Sequence, residues 1–270
     1  MKTLRYIGFL AVAILFASCA KETAPEKTGK RIVFKAGLAD VKSTASATGA
    51  FAWSEGDRIY ALDIWGVYQQ FTLTKGAGTK NAEFTSDEEI EGVSGYAFAG
   101  SADVYSWGGV YNYYLTSYYD ENAVGQTHSP MVATIPDGPN PSLAFKHLCG
   151  LIKVTLKGFT GILTMVRLSS KDNAIAGDFI IQNIGTENAC IETDEYGDRE
   201  INYSMYKDVA GDIDFYFPVP VGEYGGFTIY MEGHDNSYNK CIDTYEIDKS
   251  VTISRGELRT VERTANITND

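Results

Sequence analysis

The side chains of this chain that have reactive chemistry are few and scattered. Its three histidines are His128, His147 and His234. His147 stands beside an apolar stretch, where a hydrogen-bonded structural role is expected, and His234 sits next to Asp235 in a polar turn. No nucleophile elbow, HExxH pair, phosphate-binding loop or dinucleotide fingerprint occurs. The acids Asp194, Glu195 and Asp198 lack the EF-hand spacing and its closing glutamate, so they read as a solvated hairpin. No Cys/His spacing suits a metal. Catalysis, a cofactor and a metal are therefore not expected. The densest recognition chemistry is aromatic: Trp107, Tyr111, Tyr113, Tyr114, Tyr118 and Tyr119 fall within WGGVYNYYLTSYYDEN. Such rings stack on sugars and carry hydroxyls at low entropic cost, which makes this a glycan or adhesion patch. The competing reading is that alternate tyrosines of a strand face a core.

Cys19 has a different chemistry. It follows Lys2 and Arg5, an apolar run from Ile7 to Phe16, and the small residues Ala17 and Ser18. An apolar stretch of about ten residues after a basic start is a secretory signal, too short for the roughly 20 residues of a membrane span. Small residues before a cysteine resemble the lipobox of bacterial lipoproteins. There Cys19 becomes the new N-terminus and bears the lipid, with Phe16 where leucine is usual. Residues 1–18 are then the signal peptide. Residues 19–30, polar and without periodicity, are a flexible tether. The Lys21-Glu22 pair resembles the signals that send some lipoproteins to the outer face of the outer membrane.

The 270 residues hold 23 Lys and Arg against 35 Asp and Glu, a net charge of −12. Removing residues 1–18 takes away Lys2 and Arg5 and no acid, leaving −14. So negative a surface repels phosphate backbones and disfavours nucleic acid. Beyond Cys19, only Cys149, Cys190 and Cys241 remain, so at most one disulfide forms within the chain.

The elements that must position these residues read as strands throughout. No window after the leader holds a helical period, while 18 tyrosines and 27 glycines suit short strands and turns. RIVFKA, Arg31 to Ala36, alternates Ile32, Phe34 and Ala36 against Arg31, Val33 and Lys35. Strands follow near Ile59, Phe71, Phe84, Tyr96, Val110 to Leu115 and Met131 to Ile135. Their close spacing, with Gly, Asn, Asp and Ser between, points to a β-sandwich over residues 31–142. The proline-rich DGPNPS, Asp137 to Ser142, marks a domain boundary. FKHLCGLIKVTLKG, Phe145 to Gly158, opens a second sandwich over residues 143–265. Further strands are LTMVRLSS from Leu163, NAIAGDFII from Asn173, and DIDFYFPVPVG from Asp212. GFTIYMEG, CIDTYEI, SVTI and ELRTV close it. The class is all-β.

Taken in order, WSEGDRI (Trp53 to Ile59), FKHLCGLIKVTL (Phe145 to Leu156), VRLSS and IAGDF (Val166 to Ser170, Ile175 to Phe179), FYFPVPVGEYGGFTIYM (Phe215 to Met231) and SVTISRGELRTV (Ser250 to Val261) resemble the fimbrillin family. These are lipoprotein precursors of the type V pilus subunits of Gram-negative anaerobes. The resemblance spans Arg31 to Val261 and implies two tandem transthyretin-like β-sandwiches behind a lipoprotein signal. It also implies a lipid-anchored, surface-exposed life at the outer membrane, as a structural, anchoring or tip subunit serving adhesion. In polymerising members a trypsin-like protease cuts the loop behind the first strand, and a strand from the next subunit fills the vacated groove. Carried onto this chain, the removable strand is Arg31, Ile32, Val33, Phe34, Lys35 and Ala36, and the cut follows Lys42. That loop has no arginine, so either a protease of another specificity acts or the chain stays anchored and uncut. The partners implied are other pilus subunits and host or bacterial surface ligands. The alternative is a glycan-binding surface lipoprotein that does not polymerise.

Overall fold

The computed structural model describes residues 29–39, 52–100, 104–107, 109–193 and 195–264; of Trp107 only the backbone is described. The leader, Cys19, most of the tether and Lys42 lie outside the described residues. Apart from one short 3-10 turn at Glu121–Ala123, every regular element among the described residues is a strand. In chain order these are β1 (Val33–Leu38), β2 (Arg58–Asp63), β3 (Tyr68–Lys75), β4 (Asn81–Ser86), β5 (Val93–Ala99), β6 (Val104–Trp107), β7 (Val110–Leu115), β8 (Tyr118–Tyr119), β9 (Met131–Thr134) and β10 (Ser142–His147). They continue with β11 (Gly150–Ser170), β12 (Gly177–Gln182), β13 (Cys190–Ile191), β14 (Glu200–Val219), β15 (Gly222–Tyr224), β16 (Phe227–His234), β17 (Lys240–Ile247), β18 (Val251–Ile253) and β19 (Leu258–Thr264). The all-β class expected from composition and alternation is what the chain adopts.

Seven of the first ten strands close on themselves in the order β1-β10-β9-β5-β2-β3-β4. The sandwich expected here is thus a sheet joined into a ring, which leaves no edge along that path. Closure depends on β1, antiparallel to β4 on one side and parallel to β10 on the other. Inward positions follow the two-residue period: Phe34 and Ala36, Ile59 and Ala61, Ala82 and Phe84 are buried, joined by Trp53, Phe71 and Phe145.

Two long strands organise the rest. β11 and β14, of 21 and 20 residues, pair antiparallel from Gly150↔Val219 to Ser169↔Glu200. Along its other edge β11 changes partner, from parallel β19 at Leu151–Lys157 to antiparallel β16 at Ile162–Ser170. The change falls at Gly158 and Gly161, both at positive φ (64° and 136°), beside bulges in the ladder. Only glycine adopts such a backbone without strain. Glycines that read as the end of one strand therefore bend a single strand between two sheets. Likewise FKHLCGLIKVTLKG is two strands: Phe145, Lys146 and His147 end β10 in the ring, and β11 starts at Gly150.

A third sheet, β13-β12-β7-β6, pairs β7 with β12, Leu115 opposite Gly177 and Tyr113 opposite Phe179. Hydrogen bonding between strands therefore crosses residue 142 in three places, through β10 on β1 and β9, β7 on β12 and β8 on β14.

Candidate functional site: the first strand and its slot

Strand β1 lies in a slot with ladder partners on both sides. Phe34 is fully buried and stacks on Phe71, ring centroids 4.5 Å apart. Trp53 meets Phe84 and Phe145 edge-on at 4.9 and 5.4 Å in the same core. The strand's entry is pinned by Ser86. The Ile32 N–H donates to Ser86 Oγ at 3.0 Å, the Ser86 N–H donates to the Ile32 carbonyl at 2.9 Å, and Arg31 Nη1 reaches the Ser86 carbonyl at 3.2 Å. One residue earlier, Lys30 and Ile90 exchange both backbone bonds at 3.1 Å. At the exit, the Leu38 N–H donates to the Lys80 carbonyl and the Ala39 N–H to the Phe145 carbonyl, at 3.1 and 2.8 Å. Leu38 also packs with Leu151, Tyr216 and Leu258, which ties this end of the strand to the long sheets.

Loss of β1 would uncover two ladder edges and an apolar trough together. A buried backbone N–H or C=O without a partner costs about 1–3 kcal/mol, so such a slot favours another strand strongly. Of the strand expected to be removable, Ile32, Phe34 and Ala36 point inward, while Arg31 and Lys35 face solvent. Beyond the exit, a cavity of about 630 Å³ opens between the end of β1, the β3–β4 turn and the start of β10.

The six aromatic residues do not share one surface. Tyr113 is 1% exposed and donates its hydroxyl to the Ala99 carbonyl at 3.1 Å. Tyr119 is buried between His128 and Tyr203, centroids 5.2 and 4.9 Å away, and burial pushes its phenol well up. Tyr111 packs on Tyr96 and Phe98. Tyr114 and Tyr118 are exposed, and the Trp107 side chain lies outside the described residues. The alternation within YNYY was visible in the sequence; which parity faces inward depended on β12, more than sixty residues on.

The hydrogen-bonded structural role expected for His147 is met in a buried polar cluster whose other members, Ser129 and Cys149, sequence reasoning did not place. Ser129 Oγ and His147 Nδ1 are 2.8 Å apart, with Cys149 Sγ 3.8 Å from Ser129. A hydroxyl beside an imidazole is the pairing that activates nucleophiles, yet Ser129 and His147 are 3% and 2% exposed. Burial also pushes the Cys149 thiol up to about 12, leaving no thiolate near neutrality. Cys149, Cys190 and Cys241 are all free and buried.

No family model matches the chain, and no curated protein matches it. Among solved structures, a protein assigned to cell adhesion from Bacteroides ovatus superposes with a TM-score of 0.54 at 14% identity, over 87% of this chain and 92% of that one. This chain shares that protein's fold. More distant likenesses are a protein assigned to cell adhesion from Bacteroides fragilis and a fimbrial assembly protein from Parabacteroides distasonis. The first is 8% identical over 89% of this chain and 94% of that one, TM-score 0.44. The second is 11% identical over 88% and 92%, TM-score 0.40.

Proposed function

We propose that this chain is a cell-surface adhesion protein of fimbrillin type, lipidated at Cys19, held at the outer membrane and built to join other pilus subunits by strand exchange. The observation that carries this reading is the double pairing of β1. A strand that closes a ring of seven is also the strand whose departure opens it, and only a strand of similar pattern restores both ladders. Chain order adds a consequence. Cys19 precedes β1 and Lys42 follows it, so a cut after Lys42 separates the lipid from everything after Lys42 while β1 is still seated. Release from the membrane and opening of the slot then wait on the same event, the exit of β1.

The experiment treats membrane-held chain whose tether lysines Lys21, Lys27 and Lys30 are changed to arginine with a lysine-specific protease under native conditions, beside the same chain carrying Lys42→Ala. Supporting this reading, the parent would leave the membrane fraction and form detergent-resistant oligomers, and the variant would do neither. Cut chain that remains monomeric after β1 has left would overturn it. For the glycan-binding alternative, Tyr114 and Tyr118 are exposed and Tyr111 half-buried, while Tyr113 and Tyr119 are core residues.

A further inference from the structure

Away from the ring, the sheet built on β11 and β14 carries a row of planar side chains on its solvent face. Strand register sets Thr244 of β17 opposite Tyr230 of β16, Tyr230 opposite Arg167 of β11, Arg167 opposite Asn202 of β14, and Asn202 opposite Tyr118 of β8. Residues directly opposite share a face, so these five stand in line at strand spacing, about 4.8 Å apart. The residues on either side of them along the strands, Val166 and Leu168, Ile201 and Tyr203, Ile229 and Met231, point into the core. Tyr118 is 58% exposed, and Arg167, Asn202 and Tyr230 are half-buried.

The row is held by its own contacts. The Arg167 guanidinium lies over the Tyr230 ring, 4.9 Å from its centroid, and Nη1 donates to Glu200 Oε2 at 3.3 Å. Ser169 Oγ donates to Glu200 Oε1 at 3.1 Å. Tyr230 donates its hydroxyl to Glu232 Oε2 at 2.7 Å, and Lys240 bridges Glu232 Oε1 at 3.0 Å. Arg167 and Lys240 are thus each matched by a carboxylate, so the row favours neither an anion nor a cation. Hydrogen-bonding capacity is what remains. A guanidinium carries more N–H donors, and a carboxylate more acceptor sites, than these contacts use. Asn202 adds its side-chain amide, of which Nδ2 reaches the Ser117 carbonyl at 3.5 Å.

We infer that this row binds a neutral glycan, with Tyr118 as the ring on which a sugar stacks and with Asn202, Arg167 and Glu200 bonding its hydroxyls. A hydroxyl both donates and accepts, so one ligand meets guanidinium, amide and carboxylate alike, and the C–H face of a sugar matches an exposed aromatic face. A protein partner would have to bury Glu200 and Glu232, and interface cores are depleted of glutamate. Side chains already fixed by Tyr230, Ser169 and Lys240 lose little freedom on binding. Of the aromatic stretch from Trp107 to Tyr119, the row uses only Tyr118. The inference rests on the adhesion part of the reading above and not on strand exchange.

The test titrates the full chain, in mild detergent, with short neutral oligosaccharides of glucose, galactose, mannose and N-acetylhexosamines, beside sialylated and sulfated forms. A neutral probe is expected to bind with an affinity that high salt leaves unchanged, since screening acts on net charges. Tyr118→Ala, at an exposed position that the fold does not need, is expected to weaken it roughly tenfold, and Tyr118→Phe to restore it by keeping the ring. Arg167→Lys keeps the charge, loses the planar fork and also weakens binding. Tyr114→Ala, on β7, changes nothing. A chain that binds none of the neutral probes at millimolar concentration overturns the inference. So does one that binds only the charged forms, or Tyr118→Ala binding like the parent. Cells that adhere through this protein while every neutral probe fails would keep the adhesion reading and remove this one; oligomers of cut chain report strand exchange separately.

Discussion

Replacing Phe34 by alanine probes how firmly β1 is seated. The ring is fully buried and stacked 4.5 Å from Phe71, with backbone ladders fixed on both sides, so the site has little room to collapse. A Phe→Ala change in such a place costs about 3–5 kcal/mol, a large share of the roughly 5–15 kcal/mol that holds a domain together. Trp53 lies in the same core, edge-on to Phe84 at 4.9 Å, so urea unfolding followed by tryptophan fluorescence, in a background with Trp65 and Trp107 changed to phenylalanine, measures the loss directly. With a urea dependence of about 2–3 kcal/mol per molar, the midpoint of that transition falls by about 1–2.5 M. Lys35→Ala, one position along and facing solvent, shifts stability by no more than about 0.5 kcal/mol. A Phe34→Ala loss below about 1 kcal/mol would mean that β1 is loosely held, and the slot argument would fail.

Three further outcomes follow from other parts of the chain. Burial pushes the Asp63 carboxyl up, but bonds from Val67, Gln69, Trp65 and Gly66 outweigh it and hold the carboxyl below its ordinary value. Its contribution is therefore complete above the unfolded value near 3.9 and is lost as pH falls through the lower folded value, so amide exchange at Trp65 and Val67 should quicken only below about pH 4. Gly161→Ala would place a Cβ 2.2 Å from the His234 carbonyl oxygen at a φ of 136°, and is expected to cost at least about 1–3 kcal/mol in thermal or urea unfolding; a neutral result would contradict the bend assigned to β11. Cys19→Ala is expected to move the protein from the membrane fraction to the soluble one, and unchanged fractionation would remove the lipid from the account.

The parts of this fold that were legible in the sequence are those set by two-residue alternation. Ile32, Phe34 and Ala36 read as the inward face of a strand and are one; GFTIYMEG alternates and becomes β16. Pairing was not legible, because the bonds that seat β1 come from residues about fifty and more than a hundred positions away, in β4 and β10. Glycine misled at Gly158, where it ends a hydrophobic run in the sequence and bends a continuous strand in the structure. The patch from Trp107 to Tyr119 was legible as aromatic and not as a surface, since Tyr113 is turned inward by β12 and Tyr119 by Tyr203. Trp65 passed unnoticed: one apolar residue beside Gly66 reads as part of a strand until Asp63 is seen holding the turn beneath it.

The account stands on β1 being the strand that another chain can replace, and deleting Arg31 to Ala36 tests that most directly. Sedimentation of the deleted chain in mild detergent should show stable oligomers that a synthetic peptide of sequence RIVFKAGL disperses by refilling the slot between β4 and β10. A deleted chain that folds, stays monomeric and ignores the peptide would contradict it.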